Sequence, residues 1–412
     1  MTLRLPDFRD PAFLLDHARS IFAFYEPRCI DESGGFFHHF KDDGTVYDHS
    51  TRHLVSSTRF IFNYARAATA FGRPELLAGV RHGLAYLRAV HLNRQTGGYA
   101  WLIEDGRCSD STNHCYGLAF VLLAYAVALQ AGVAEAKTWL DETFQTMDRH
   151  FWSNEDGLYR DEASADWVVG SYRGQNANMH CCEAMLAAFE ATGEARYLER
   201  AHRIARRVTV DLAAKCDGLI WEHYDTHWEI DWNYNRNNPK HLFRPWGFQP
   251  GHQAEWAKLL VLLDCHRPED WMISTSRRLF DTALAIAWDD KHGGIAYGFA
   301  PDRSICDSDK YFWVQAESFA AAVLLAQRTD EAAYWDWYDR IWAYSWDHMV
   351  DHRYGAWYRI LTGDNRSYSD EKSPAGKTDY HTLGATLDAR QVLLNTAATP
   401  NIAIDEGPPL SK

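Results

Sequence analysis

Two kinds of helical segment alternate along the chain. Segments of the first kind are apolar on one face and charged on the other, which is typical of surface helices: PAFLLDHARSIFAFY, PELLAGVRHGLAYLRAV, AEAKTWLDETFQTMDRHF, ARYLERAHRIARRVTV, MISTSRRLFDTALAIAW and AAYWDWYDRIWAYSW. Segments of the second kind are apolar nearly all round, which predicts burial: FIFNYARAATAF, GLAFVLLAYAVAL, CCEAMLAAFEA, EWAKLLVLL, ESFAAAVLLA and LGATLDARQVLL. The pattern predicts six outer helices, each followed by an inner one.

A glycine turn separates the two helices of each pair. Alternating aromatic and aliphatic residues follow the turn, and this alternation predicts a short hairpin strand. The last glycine of each turn stands at position 35, 98, 157, 218, 294 or 355, so successive copies lie 63, 59, 61, 76 and 61 residues apart. The chain is therefore built from six repeats of one helix pair.

Repeated helix pairs form either a closed barrel or an open solenoid. Six copies without a polar capping repeat at either end favour closure. The predicted fold is all-α, an (α/α)6 barrel of six inner and six outer helices with short β-hairpins in the loops. No linker divides the chain, so we expect one catalytic domain over residues 1–395 and an extended C-terminal tail over residues 396–412.

The composition indicates which kinds of molecule the protein is expected to bind. The formal net charge is −14 with no long basic run, which argues against nucleic acid or an anionic membrane and favours a small neutral substrate. No apolar stretch is long enough to span a membrane, and MTLRLPDFRD lacks the apolar core of a signal peptide. Eight scattered cysteines without a CxxC motif predict reduced thiols. Together these features predict a soluble protein of the cytoplasm.

Polar residues recur where each hairpin leads into an inner helix. In a closed barrel these six helix starts surround one mouth. A single histidine or glutamate at such a position is explained by hydrogen bonding or by the helix dipole. Recurrence in several repeats favours a functional site, because capping alone would use Ser, Thr or Asp. The candidates are Arg59, Asn113, His114, Tyr116, Asn176, His180, Glu183, His252, Glu255, Trp313, Glu317 and His381.

Several kinds of site are compatible with these residues. The pattern HxxE occurs twice, at His180 and at His252, but it reverses the Glu-x-x-His order of di-iron bundles and no third ligand has diagnostic spacing. A glycoside hydrolase would need two opposed carboxylates, which the glutamates could supply. Histidines are better suited to proton transfer near neutral pH, including proton abstraction beside a sugar carbonyl to give an enediol. A sugar-binding module would explain the many aromatic residues but not the histidines. We expect neither a metal nor a nucleotide cofactor.

Four segments resemble the N-acylglucosamine 2-epimerase superfamily: RGQNANMHCCEAM, PGHQAEWAKLL, KYFWVQAES and TDYHTLG. The similarity extends from the STRF segment at Arg59 to His381 and keeps the order of the motifs. The pattern is most similar to the branch of D-mannose and sulfoquinovose isomerases, with cellobiose 2-epimerases more distant. The resemblance implies an (α/α)6 barrel and metal-independent aldose–ketose isomerisation through a cis-enediol.

The resemblance also implies roles for the candidate residues. His252 and His381 would be the acid/base pair, with His381 moving the proton between C2 and C1. His252 would assist ring opening and proton transfer to oxygen, although the two roles could be exchanged. Glu255 would orient or charge-balance its neighbour. The expected substrate contacts are Arg59, Tyr116, Asn176, His180, Trp313 as a wall and Glu317 as a hydroxyl contact.

The preferred substrate is D-mannose, with D-fructose as product. A sugar 2-epimerase, a sulfoquinovose isomerase, a glycoside hydrolase and a non-catalytic sugar-binding protein remain alternatives. Lys377 stands four residues before His381, where a glutamine is expected in the sulfoquinovose branch. The loop over residues 225–247 is predicted to cover the mouth or to make a subunit contact, with Arg236 or Arg244 reaching in. We expect a monomer or a homodimer.

Overall fold

The computed structural model describes residues 5–374 and 376–398. Within them, twelve α-helices alternate between an outer and an inner layer, as the hydrophobic pattern predicts. The outer helices are α1 (Pro11–Tyr25), α3 (Leu77–Tyr86), α5 (Ala136–His150), α7 (Ala195–Arg206), α9 (Asp270–Ala287) and α11 (Ala332–Tyr344). The inner helices are α2 (Leu54–Ala70), α4 (Cys115–Gln130), α6 (Gln175–Thr192), α8 (Pro250–His266), α10 (Phe312–Thr329) and α12 (Tyr380–Ala398).

The inner helices form a closed ring. Each packs against the next, and α12 returns to pack against α2 and α1. Burial follows the predicted division: α4 is buried along nearly its whole length, whereas α5 buries one face that includes Leu140, Phe144 and Met147. The prediction of an (α/α)6 barrel is confirmed.

Three outer helices end in a π-helical turn and two short 3₁₀ segments complete the helical structure of the described residues. The π turns are Leu87–His91, Arg207–Leu212 and Ser345–Met349, after α3, α7 and α11. The 3₁₀ segments are Pro74–Leu76 and Ala213–Cys216.

All strands of the described residues lie in the connections from an outer helix to the inner helix that follows it. They are β1 (His39–Lys41), β2 (Val46–Asp48), β3 (Thr51–His53), β4 (Leu102–Glu104), β5 (Arg107–Asp110), β6 (Asn113–His114), β7 (Trp152–Ser153), β8 (Leu158–Tyr159), β9 (Glu162–Ala163), β10 (Arg173–Gly174), β11 (His223–Tyr224), β12 (Gly298–Phe299), β13 (Ile305–Asp307), β14 (Lys310–Tyr311), β15 (Ile360–Leu361) and β16 (Glu371–Ser373). The predicted short hairpins are present, for example β4 with β5.

The strands also join neighbouring repeats. β3 leads into α2 and pairs antiparallel with β4 of the second repeat, with Arg52 opposite Ile103. The pairs β6–β9, β10–β11 and β14–β15 repeat this arrangement. β16 leads into α12 and pairs with β1 of the first repeat, with Phe40 opposite Ser373. The ring is therefore closed by strands as well as by helices.

Amide side chains on three inner helices hold the hairpins in place. Gln315 accepts a hydrogen bond from the Ile295 N–H and donates one to the Ile295 carbonyl, both at 3.0 Å. Two other pairs make the same two bonds: Asn178 with Tyr159, and Gln253 with Ile220. We call these three pairs the amide clamps.

The recurrence of glycine in the repeated turn has a conformational cause. The φ angle is +75° at Gly97 and +91° at Gly355, a region that residues with a Cβ atom disfavour. The turn therefore requires glycine in each repeat, which is why the motif is visible in the sequence.

The end of the described chain differs from the expectation. Helix α12 continues to Ala398, so residues 396–398 are helical although they were expected to begin an extended tail. The rest of the expected tail, residues 399–412, lies outside the described residues. In the part of the chain that the structure describes, no helix is long and apolar enough to cross a membrane.

Candidate active site

A cavity of about 100 Å³ lies where the inner helices begin. Each of the six inner helices contributes to its wall, which is how residues from all six repeats meet. Eight of the nine predicted site residues line it: Arg59, Tyr116, Asn176, His180, His252, Glu255, Trp313 and His381. Residues that the sequence analysis did not select complete the wall: Leu242, Phe243, Pro245, Tyr297, Tyr311, Phe312, Arg359, Gly376 and Lys377.

The ninth predicted residue, Glu317, lies behind His381 and does not line this cavity. Its Oε1 is 2.7 Å from His381 Nδ1, and its Oε2 accepts a hydrogen bond of 2.5 Å from the Lys258 ammonium. Both oxygens are therefore engaged inside the protein. In this structure Glu317 is therefore placed to orient the ring of His381, and it does not face the cavity in which a sugar hydroxyl was expected.

His381 has the geometry of a neutral base. The Glu317 carboxylate accepts the Nδ1 proton, so Nε2 carries the lone pair and lies 3.3 Å from the Arg59 guanidinium. Burial, together with the positive charge of Arg59, holds the pKa of His381 well below its ordinary value of 6.5. At neutral pH the ring is therefore uncharged and able to accept a proton.

The carboxylate partner of His252 is Glu222, which the sequence analysis missed. His252 Nδ1 lies 3.0 Å from both oxygens of Glu222, and Gln175 holds the same carboxylate at 2.9 Å. Glu222 stands in the repeated hairpin segment DGLIWEHY, where an acidic residue interrupts the apolar alternation. This acidic residue within an apolar alternation is the feature of the sequence that could have identified Glu222 as a functional candidate.

Glu255 does not pair with His252, although it stands three residues later on the same helix. Its nearest imidazole is that of His180, with His180 Nδ1 3.8 Å from Glu255 Oε1. His180 itself bonds to Glu183 at 2.9 Å. The expectation that Glu255 orients its neighbour is therefore not met, because the orienting carboxylates come from other positions.

Trp313 lines the cavity next to both predicted catalytic histidines. Its ring centroid lies 5.0 Å from that of His252 and 5.7 Å from that of His381. The first turn of α8 can approach this indole because Gly251 has no side chain: a Cβ atom there would lie 2.4 Å from the Trp313 ring. The glycine of the PGHQ segment thus allows His252 to pack against the Trp313 indole.

Hydrogen-bonding groups suited to sugar hydroxyls surround the histidines. Arg59 donates to the Tyr116 hydroxyl at 3.2 Å and to the Gly376 carbonyl, and its guanidinium lies over the Phe120 ring at 4.4 Å. The Oδ1 atom of Asn176 is buried and has no hydrogen-bond partner among the described residues. A buried acceptor of this kind is costly unless a ligand satisfies it.

Two groups of side chains come close enough to hold an ion. Among the described residues, the first group is His180, Glu183 and Glu255, and the second is Glu255, Glu317 and His381. Within each group, one nitrogen or carboxylate oxygen of each residue lies within 4.8 Å of those of the other two. The ammonium of Lys258 provides a cation at this place, and the charges of Glu317, Glu183 and Glu255 raise its pKa against the effect of burial. Lys258 was also missed, although it is the one lysine in the apolar segment EWAKLLVLL.

The loop over residues 225–247 was expected either to cover the mouth or to make a subunit contact. In the structure it covers the cavity. Leu242, Phe243 and Pro245 form part of the wall. Lys240 bonds to Asp309 at 2.6 Å on one side of the mouth. Arg244 does not enter the cavity, because it bonds to Glu162 at 2.6 Å and stacks on Tyr172. Arg236 also lies outside the wall, over the Trp246 ring.

Three other residues were noted in the sequence, and two of them, Asn113 and His114, lie outside the main cavity. Asn113 binds the backbone of Tyr99 and Ser164, and His114 lines a neighbouring cavity of about 250 Å³. Lys377 does line the main cavity, where burial lowers its pKa to about 8 while Asp379 binds its ammonium.

Comparison with known proteins identifies a matching family and several similar enzymes. Residues 35–385 match the N-acylglucosamine 2-epimerase (GlcNAc 2-epimerase) family. A D-mannose isomerase of Marinomonas mediterranea is 55% identical over 390 residues, which is 94% of this chain and 99% of that protein. A solved structure of a D-mannose isomerase matches with a TM-score of 0.93 at 54% identity, covering 95% of this chain and 100% of that one. The structure of a cellobiose 2-epimerase from Bacillus thermoamylovorans matches with a TM-score of 0.82 at 18% identity, covering 92% of this chain and 99% of that one, and shows the shared fold.

Proposed function

The chain belongs to the N-acylglucosamine 2-epimerase family, and on that premise we propose that it is an aldose–ketose isomerase that interconverts D-mannose and D-fructose. The observation that carries the proposal is the pair of imidazoles that line one cavity beside Trp313, each bonded through Nδ1 to a buried carboxylate. The 55% identity to a D-mannose isomerase over nearly the full length supports the choice of sugar.

In the proposed reaction His381 carries the carbon-bound proton. The neutral Nε2 atom takes the proton from C2 of the open-chain sugar, which leaves a cis-enediol, and then returns it to C1. Glu317 holds the ring in the tautomer that leaves Nε2 free, in the way that a carboxylate orients a general base. The Arg59 guanidinium, now 3.3 Å from Nε2, is placed to bind a sugar oxygen next to the reacting carbons.

His252 serves the oxygen-bound protons. Its Nδ1 donates to Glu222, so its other ring nitrogen is available to the cavity that it lines. From there it assists opening of the sugar ring and moves a proton between O1 and O2. Each step only moves protons within the sugar and the two imidazoles, so the reaction needs no redox partner.

The size of the site supports a monosaccharide. Its volume of about 100 Å³ is below the ~300–1,000 Å³ typical of pockets for drug-sized ligands. The covering loop contributes Leu242, Phe243 and Pro245 directly above the reactive groups. A second sugar ring would have to displace this loop.

An NMR time course with D-mannose in D₂O, with a chelator present, tests the proposal. The expected result is fructose as the product with deuterium at C1, since the proton taken from C2 can exchange with solvent while His381 holds it. Glucose deuterated at C2 would instead indicate a 2-epimerase that uses the same histidines. Absence of any sugar conversion, or loss of activity that added metal restores, would contradict the proposed chemistry.

We also propose that the enzyme works in the cytoplasm, alone or as a homodimer. All eight cysteines are free thiols, including the neighbouring Cys115 and Cys181 at 3.6 Å between sulfur atoms. Reduced thiols at bonding proximity fit a reducing compartment. Sedimentation of the purified full-length chain would measure the oligomeric state.

A further inference from the structure

Glu255 differs from every other carboxylate around the cavity. Glu222, Glu183 and Glu317 each accept at least two hydrogen bonds or ion pairs from histidine, lysine, tyrosine or amide groups. Glu255 is 1% exposed, and neither of its oxygens has a hydrogen-bond partner among the described residues. It nevertheless lines the cavity. A buried carboxyl group without a donor is costly as an anion.

Donors near Glu255 are directed to other carboxylates, and none of the described residues bonds to Glu255 itself. The Nδ1 proton of His180, 3.8 Å away, is bound by Glu183. The ammonium of Lys258, one turn further along the same helix, is bound by Glu317 at 2.5 Å. The hydroxyl of Tyr380 also donates to Glu183.

The positive and negative charges of the groups around Glu255 cancel when Glu255 itself is neutral. The groups facing it from the six inner helices are Arg59, Tyr116, His180, Glu183, His252, Lys258, Glu317, Tyr380 and His381. Among them the cations Arg59 and Lys258 offset two carboxylates. The pKa of Glu183 is lowered to about 2, because the His180 hydrogen bond and Lys258 outweigh its burial. Burial raises the pKa of Glu317, but its direct bond to Lys258 favours the ionised form.

Glu255 therefore has the properties of a neutral carboxyl group. Burial, followed by the charge of Glu317, holds its pKa well above 4.5. The oxygens of Glu255 and Glu317 lie within 4.8 Å of each other, where two anions repel strongly. A carboxylic acid kept neutral in this way can donate a hydrogen bond at neutral pH.

We propose that Glu255 acts in the reaction as a neutral carboxylic acid, whose O–H donates a hydrogen bond to the sugar oxygen on which negative charge develops as the C2 proton leaves. This inference rests on the proposed isomerase function. The proton stays on Glu255, so the bond strengthens in the transition state without a further proton transfer. Glu255 thus complements Arg59, which supplies positive charge to the same end of the cavity.

The test compares two substitutions, Glu255→Gln and Glu255→Ala. Glutamine keeps a donor of the same shape, so we expect kcat for mannose isomerisation within about tenfold of wild type. Alanine removes the donor and is expected to lower kcat by about 10²- to 10³-fold, the range for loss of one oxyanion donor. Circular dichroism and thermal unfolding of both variants check the fold. Equal loss of activity in the two folded variants would overturn the proposal.

Infrared difference spectroscopy tests the protonation state independently of activity. At neutral pH wild type should show a protonated-carboxyl C=O band that Glu255→Gln lacks. The matched control is Asp161→Asn, which removes another buried carboxyl group, with a pKa raised to about 7, and should leave the Glu255 band in place. Identical bands in wild type and Glu255→Gln would overturn the neutral acid. A wild-type enzyme that shows this band but does not isomerise mannose would contradict the proposed function instead.

Discussion

At the scale of single residues, the site consists of two imidazoles that are each held at one nitrogen and exposed at the other. Glu222 fixes His252 from the hairpin of the fourth repeat, and Glu317 fixes His381 from α10. Neither carboxylate lines the cavity. The groups that orient the imidazoles therefore lie outside the cavity wall, and in the proposed function the wall residues remain available to bind the sugar.

Removal of either imidazole should abolish catalysis without unfolding the protein. We expect His381→Ala and His252→Ala each to lower kcat by about 10²-fold or more, the usual scale for a general acid or base. His49→Ala is the control, because this histidine is exposed and lies outside the cavity. Steady-state kinetics with mannose measure the effect, and near-full turnover in either variant would contradict the assigned roles.

The pH dependence of the rate should reflect the lowered pKa of His381. The base is active when it is unprotonated, and its pKa lies well below 6.5 because of burial and Arg59. We therefore expect kcat/KM to remain at its plateau as the pH falls through 6.5 and to decline only at lower pH. A half-maximal rate at or above pH 6.5 would contradict a neutral, buried base.

Sequence reasoning selected the residues on the helix starts, including Glu317 beside His381, and missed two partners, Glu222 and Lys258. His252, His381 and Trp313 share one phase of the repeat, so a single pattern reveals them. Glu222 pairs with His252 from the connection before α8, and Lys258 on α8 pairs with Glu317 on the neighbouring helix α10. Both pairings depend on how these elements pack, which the sequence alone does not fix. For the same reason Glu255 was assigned to the wrong neighbour: sharing a helix face with His252 did not bring the two side chains together.

At the scale of elements, the amide clamps connect the inner helices α6, α8 and α10 to the hairpins before them. Gln315 is buried, and its amide satisfies both the N–H and the carbonyl of Ile295. The sequence predicted the hairpins but not the clamps or the strand pairs between neighbouring repeats. Local alternation reveals a strand, whereas its partner depends on how the repeats are arranged around the ring.

Loss of a clamp should lower stability. In Gln315→Leu, a buried donor and a buried acceptor of Ile295 lose their partners, and each such loss costs about 1–3 kcal/mol. We expect the free energy of unfolding to fall by about 2–6 kcal/mol in denaturant titrations. Gln95→Leu, at an exposed position, should have little effect. An unchanged midpoint in Gln315→Leu would show that the clamp does not support the hairpin.

At the scale of the whole molecule, several histidines are buried in their neutral form. Burial lowers the pKa of His17 to about 4, of His91 to about 4 and of His53 to about 3. The unfolded chain binds these protons near pH 6.5, whereas the folded chain does not. Stability is therefore complete above pH 6.5 and is lost as the pH falls below it.

Thermal or denaturant unfolding between pH 7 and pH 5 measures this effect. Each buried histidine contributes up to ~1.4 kcal/mol per pH unit to the slope in that range. His91→Gln should make the slope shallower by about one proton, because His91 bonds to Ser57 and to the Ala100 carbonyl inside the protein. Stability that is independent of pH over this interval would contradict neutral burial.

The contribution of all six inner helices to one cavity also sets the order in which a newly made chain becomes an enzyme. His381 lies on the last of these helices, and β16, just before it, pairs with β1 at the start of the chain. A ribosome-bound chain that has not yet released α12 lacks both its base and the closure of its ring. We therefore expect no isomerase activity before α12 has emerged from the ribosome, and none from a truncated chain that lacks this helix.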